Sequence, residues 1–423
     1  MHNLIQLRFY VKISVTNIPA HQIMGYIPKL KKGFYMSYLK RAWAETHLDR
    51  IKTNVENFKK YLKPETELLC VVKANCYGNG DDAIVPYLEN NLDINWFAVS
   101  NIEEAKHLRD IGISGEILIL GYTPPEYAKE LVEYDIIQAI TEESHAEELS
   151  KYSPVWSRIR VHCALDTGMT RIGVCESTIE KACNIIEQIS KLRGLQLEGI
   201  FTHFAAADSD NQDDISYTEK QAEQITAVAD ELKKRLVVLN QIHFLNSAGG
   251  IYHSSNKSTL ARLGIIMYGL KPNSSLEVPF KLQPVLDFKA CVAMVKDVDK
   301  DVCISYGRTY KTEKPAKIAT ITVGYADGYP RFLSNKGEVL IHGKRAKIVG
   351  RVCMDQIMCD VTDIDVKTGD IATLIGTDGD ETITADDIAD IGGTIGYEII
   401  CNISRRVPRV VYDNGRQIGI LKY

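Results

Sequence analysis

Between residues 36 and 280 short apolar runs alternate with amphipathic stretches. Residues 68–72, 96–100, 116–121, 136–141, 159–165, 197–203 and 242–246 read as buried strands, while 102–111, 125–133, 178–191 and 217–234 carry helical spacing. Strand-then-helix repetition predicts parallel strands. Such units close most economically into an α/β architecture of the (β/α)8, TIM-like barrel type, with an open doubly wound sheet as the competing arrangement. After Pro284 the texture changes. Longer strands with turn signals are predicted at 286–298, 316–325, 337–341, 346–352 and 371–375, then a helical insertion at 385–391 and a last strand at 405–412. The pattern therefore divides the chain into a barrel over 36–280 and a mainly-β C-terminal domain over 281–423.

Composition narrows the function classes. A chain of 423 residues, 45% apolar and 25% charged, has the material for two domains with sizeable cores. Its formal net charge of -5, with no basic block, gives no reason to expect a nucleic-acid partner, so the expected ligands are small. Ten cysteines without a C-x-x-C pair point to reduced thiols and a cytoplasmic location, not to disulfides or a metal site. No apolar stretch is long enough to span a bilayer, and no membrane association is expected. Residues 1–35 make a poor signal peptide, because Arg8 and Lys12 interrupt the apolar run. They read as an N-terminal extension, disordered or arising from an upstream-called start, before the first globular element near Met36.

The chemistry is expected at the C-terminal ends of the strands. There the run ending at Val72 delivers Lys73 into a loop, Ala74-Asn75-Cys76-Tyr77-Gly78-Asn79-Gly80. A lysine shielded by apolar walls can act as a nucleophile and form a Schiff base with pyridoxal 5'-phosphate, PLP. Taken alone it would more often be a solvated residue closing a strand. The run resembles the cofactor-lysine motif of alanine racemases, V-K-A-N-A-Y-G-H-G, departing from it at Cys76 and Asn79.

Four further groups follow apolar strands: Asp166 to Arg171, His203, Asn246-Ser247, and Arg262 ahead of Gly264-Ile265. Singly, His203 could be a core histidine, Arg262 a rim ion pair and Asn246-Ser247 a cap; together at strand ends they make a coherent set. Ser247 and the small residues about Gly249 and Gly264-Ile265 could receive a phosphate, with Tyr77 and Tyr397 as phenolic donors. An arginine beside the ring nitrogen, never deprotonated, would leave the ring a weak electron sink, which suits removal and return of one proton.

The second domain carries Ser305-Tyr306-Gly307-Arg308, Gly324-Tyr325-Ala326-Asp327-Gly328 and Arg351-Val352-Cys353-Met354-Asp355, which again resemble alanine racemase motifs. The resemblance runs from Ser37 to Tyr423. It implies that Lys73 is the cofactor lysine and one base, and that Tyr306 is the opposite base, reaching the site from the partner subunit. Arg262 then matches the ring-nitrogen partner, His203 the histidine between that arginine and the base tyrosine, and Arg171 the arginine supporting cofactor and substrate carboxylate. Tyr325 and Met354 match substrate-side residues from the second subunit, implying a head-to-tail homodimer with shared sites. Many relatives carry a carbamylated lysine where this chain has Ala164, so a chloride, a water or another carboxylate is expected near Arg171. The implied activity is interconversion of L- and D-alanine for peptidoglycan. The alternatives are a serine or broad-specificity racemase, a fold-related PLP amino-acid decarboxylase, disfavoured by the absence of E-P-G-R, and a single-barrel PLP carrier, disfavoured by the second domain.

Overall fold

A computed structural model describes residues 37–253, 257–273 and 276–423. The extension expected over residues 1–35 lies outside the described residues. Eight parallel strands, Glu67–Val71, Trp96–Val99, Glu116–Ile119, Ile137–Ile140, Ile159–Ala164, Leu195–Phe201, Gln241–His243 and Leu260–Leu263, pair in chain order, with the last beside the first. A bridge between Leu245 and Ala261 completes the ring. The closed barrel is therefore the observed architecture, not the open sheet. Its eighth strand has no counterpart among the apolar runs picked out by pattern, because Arg262 interrupts a four-residue segment.

Alternation within the strands explains the interior. Leu69, Val71, Ala98, Leu118, Ile137 and Leu260 pack inside the ring, and Ala139, Ala164 and Phe201 form a second interior group. Outside, the helix Leu48–Lys59 buries Leu48, Ile51, Val55 and Phe58, the stripe expected of a core-facing helix. Phe58 is fully buried, and a Cβ at Gly250 would stand 2.4 Å from its ring. Phe58→Ala should accordingly cost about 3–5 kcal/mol.

The second unit is a ten-stranded sheet, mostly antiparallel, in which Leu286–Val298 pairs with three neighbours. One member comes from the far end of the chain. Ala42–His47, which pattern assigns to the barrel span, lies between Leu286–Val298 and Arg409–Asp413 in this sheet. Its two partners are more than two hundred residues away in sequence, so no local signal reports the pairing. The consequence is that the chain passes from the second sheet into the barrel just before the first site residue.

Candidate active site

A cavity of about 650 Å³ opens at the C-terminal end of the barrel. Its lining includes Lys73, Tyr77, Ala164, Arg171, His203, Asn246, Ser247, Arg262, Gly264, Ile265 and Tyr397, so residues scattered over more than three hundred positions converge on one space. A larger hollow, about 950 Å³, lies at the junction with the second sheet and collects none of them; its Arg50 and Asp287 are paired with each other. The smaller space is the candidate site.

Lys73 opens an unusual turn. Ala74, Asn75, Cys76 and Tyr77 all have positive φ, between 52° and 55°, forming a left-handed helical turn without a glycine. Each such residue costs about 1–2 kcal/mol, so the surroundings must hold the conformation. The Glu104 carboxylate accepts from the backbone N–H of Ala74 (2.8 Å) and of Ser100 (2.7 Å). Gly78 N–H donates to Ala74 O and Gly80 N–H to Asn75 O. The buried Asn79 amide donates to Cys76 O (2.8 Å) and Tyr77 O (3.2 Å), which gives one of the two motif departures a structural role.

Across the cavity Arg262 is buried, 3% exposed, and no carboxylate pairs with it among the described residues. It donates to His243 Nδ1 (3.0 Å) and His243 O (3.1 Å), and to Thr202 O (2.7 Å) and His203 Nδ1 (3.0 Å). A guanidinium can only donate, so both imidazoles accept at Nδ1 and, when neutral, carry their proton on Nε2. Burial, and then the Arg262 charge, pull both histidines below the ordinary histidine range, His203 to about 3. His243 Nε2–H then donates to His162 Nδ1 (3.0 Å), leaving a buried Nε2–H on His162 without a partner among the described residues. Gly199 leaves room for both the Gln241 backbone and that ring, since a Cβ there would lie 2.7 Å from Gln241 O and 3.1 Å from His162 Cε1. Neither His162 nor His243 stood out in the sequence; the available signal was a histidine at an inward position of an apolar strand.

The opposite end of the cavity suits a phosphate. Ser247 Oγ accepts from Gly264 N–H (2.9 Å), and a Cβ at Gly264 would intrude 3.2 Å from Tyr77 Oη and 3.7 Å from Ser247 Oγ. Asn246 caps the short helix Ser247–Tyr252 through Gly249 N–H (2.7 Å). Burial raises the Tyr77 and Tyr397 phenols, keeping them protonated donors, with ring centroids 6.3 Å apart. An amine, a ring-facing cation and a hydroxyl-lined nook together match PLP. The fit follows from the donor set.

Two parts of the expected set stand differently. Arg171 lines the cavity but is exposed, and it makes no hydrogen bond or ion pair among the described residues. Ala164, 2% exposed, offers it no charge. Tyr306, Tyr325 and Met354 do not line this cavity; they are 73%, 43% and 53% exposed on the second domain. Tyr325 N–H donates to Cys353 O (3.0 Å), and Ser305 Oγ to Arg351 O (2.9 Å), so these loops lie together.

Residues 46–272 match the family model described as alanine racemase, N-terminal domain, and residues 285–411 the model described as alanine racemase, C-terminal domain. This chain belongs to the alanine racemase family. An alanine racemase of Clostridium perfringens is 42% identical over 385 residues, covering 90% of this chain and 98% of that protein. The structure of alanine racemase from Bacillus anthracis with bound L-Ala-P superposes with a TM-score of 0.86 at 36% identity, covering 92% of this chain and 99% of that one. A histidine racemase from Leuconostoc mesenteroides shares the architecture more distantly, with a TM-score of 0.80 at 28% identity over 89% of this chain and 100% of that one. The family consists of PLP-dependent isomerases, and PLP is the cofactor.

Proposed function

We propose that this protein is a cytoplasmic, PLP-dependent alanine racemase that interconverts L- and D-alanine and supplies D-alanine for peptidoglycan. The observation that carries the reading is the convergence of Lys73, Arg262, His203 and the Ser247–Gly264–Tyr77 nook on one cavity in a chain of this family. The free state of all ten cysteines supports a reducing compartment.

Bound PLP supplies an electron-withdrawing ring that acidifies the substrate Cα–H. Racemisation then requires a proton to leave one face of Cα and another to arrive on the opposite face. Lys73 serves the face of the D-enantiomer. Tyr306 serves the L-face, and because it lies outside the cavity of its own chain, it acts from a second copy in a head-to-tail homodimer. Tyr325 and Met354 accompany it. Arg262, a guanidinium without a carboxylate partner among the described residues, would face the ring nitrogen as a donor and so moderate electron withdrawal. Neutral His203, fixed by Arg262 at Nδ1, presents its Nε2–H as a donor beside the base tyrosine. Arg171 orients the substrate carboxylate. With Ala164 uncharged, a chloride beside Arg171 supplies the missing negative charge.

Borohydride reduction followed by peptide mapping tests the core of this reading. The cofactor should be fixed to Lys73, and an adduct on another lysine would overturn the assignment. A second reading, broad substrate specificity, is favoured by the likeness to a histidine racemase; comparing kcat/KM for alanine, serine and histidine separates the two.

A further inference from the structure

The left-handed turn behind Lys73 is seated largely on the second domain of its own chain. Arg409, in the strand Arg409–Asp413 and wholly buried, donates from Nε to Gly78 O (2.8 Å). Its other nitrogens hold Ser404 O, Val407 O and Ile403 O, so no freedom remains in the guanidinium. Tyr423 Oη donates to Asn75 Oδ1 (3.0 Å), the same oxygen that accepts from Asp81 N–H (3.0 Å). The Tyr423 ring is held by cation–π contacts with Arg405 at 5.4 Å and Arg409 at 5.8 Å. Thr46 Oγ1, from the strand Ala42–His47, donates to Asn79 O (2.7 Å).

The backbone accounting is nearly complete. Carbonyls 74 to 79 all accept: those of Ala74, Asn75, Cys76 and Tyr77 from donors within the loop, and those of Gly78 and Asn79 from the second sheet. The packing is equally close. A Cβ at Gly78 would lie 2.3 Å from Ile400 O, and one at Gly80 2.7 Å from Leu421 Cδ1. A strained turn of four non-glycine residues persists only where its surroundings over-determine it. Thr46 and Glu104 supply part of those surroundings, and the rest, Arg409, Tyr423, Ile400 and Leu421, lies more than three hundred residues downstream of Lys73.

We propose that Arg409 and Tyr423 are positioning residues for Lys73, holding in cis the turn that aims its amine into the cofactor cavity. Neither of them lines that cavity. The role rests on Lys73 being the cofactor lysine. It adds to the second domain's part in a partner's site a separate duty within its own chain.

Tyr423→Phe tests this in the holoenzyme, because it deletes one hydroxyl while keeping the ring against Arg409. Backbone hydrogen exchange at residues 76–80 should accelerate about fivefold, the loss expected for one ordinary hydrogen bond. Cofactor release on dilution should accelerate by a similar factor, with exchange in the strand Leu286–Val298 unchanged and the alanine KM within twofold. Tyr423→Leu, which also removes the ring, should exceed Tyr423→Phe in both measurements. Wild-type exchange and release in both variants would overturn the proposal. So would acceleration spread evenly through the second sheet, which marks a general structural role. Borohydride mapping of the same samples separates the premises: an adduct off Lys73 defeats the site assignment, whereas an adduct on Lys73 with unaltered exchange defeats only the positioning role.

Discussion

Acidification should unfold this protein through the histidine column beneath Arg262. His162 is fully buried, and desolvation, aided by the Arg160 charge, lowers it from 6.5 to about 3. Its folded value lies below its unfolded one, so an unfolded chain takes up the proton first. The stability contribution is therefore present above about pH 6.5 and lost as pH falls toward 3. At about pH 4.5 the unfolded side chain is protonated and the folded one is not, a loss of roughly 3 kcal/mol. His243, depressed by burial and by Arg262, loses stability in the same direction over the same fall in pH. Together they remove a large part of the ~5–15 kcal/mol that typically holds a domain folded. Carboxylates also titrate in this window, so the assay is a comparison. In His162→Gln the side-chain oxygen still accepts from His243 Nε2–H, but the titrating group is gone. Urea-unfolding midpoints at fixed protein concentration, followed from neutral pH to about pH 4.5, should fall less steeply in the variant by about one proton. Parallel curves would refute the reasoning and show that His162 is not held neutral by burial.

Gly264→Ala should weaken PLP binding at least tenfold, because its Cβ enters the nook between Tyr77 and Ser247; equilibrium dialysis decides it, with a melting curve of the cofactor-free protein to separate this from a loss of fold. Tyr306→Phe should slow proton abstraction from L-alanine far more than from D-alanine in single turnovers. Mixing it with Lys73→Ala protein should restore activity only if two chains share a site. Chloride added to a buffer of a bulky anion at matched ionic strength should raise activity and saturate, and Ala164→Lys should blunt the response. A flat response would show that Arg171 needs no added anion, and a non-saturating one would report screening alone.

Seven of the eight barrel strands were legible because they read as largely buried apolar runs, Leu260–Leu263 being the exception, and Leu286–Val298 occupies the residues its alternation indicated. Lys73, His203, Asn246-Ser247 and Arg262 were legible because a polar group after or within such a run has few places to go. What escaped notice depended on distant partners. Ala42–His47 is extended in pattern but gives no hint that Ala290 and Val410 flank it, and Tyr423 gives none that it reaches Asn75. The left-handed turn was hidden for a different reason. Its usual marker is glycine, and residues 74–77 contain none. Helices such as Asp81–Leu92 were also unmarked, since Pro86 and the unbroken apolar run Ala83-Ile84-Val85 blur the helical period.

Incubating the purified protein with L-alanine in deuterated water tests the central claim most directly. The account predicts D-alanine carrying deuterium at Cα, approach to an equal mixture of enantiomers, and no carbon dioxide. Release of carbon dioxide, or recovery of L-alanine without either inversion or exchange, would contradict it.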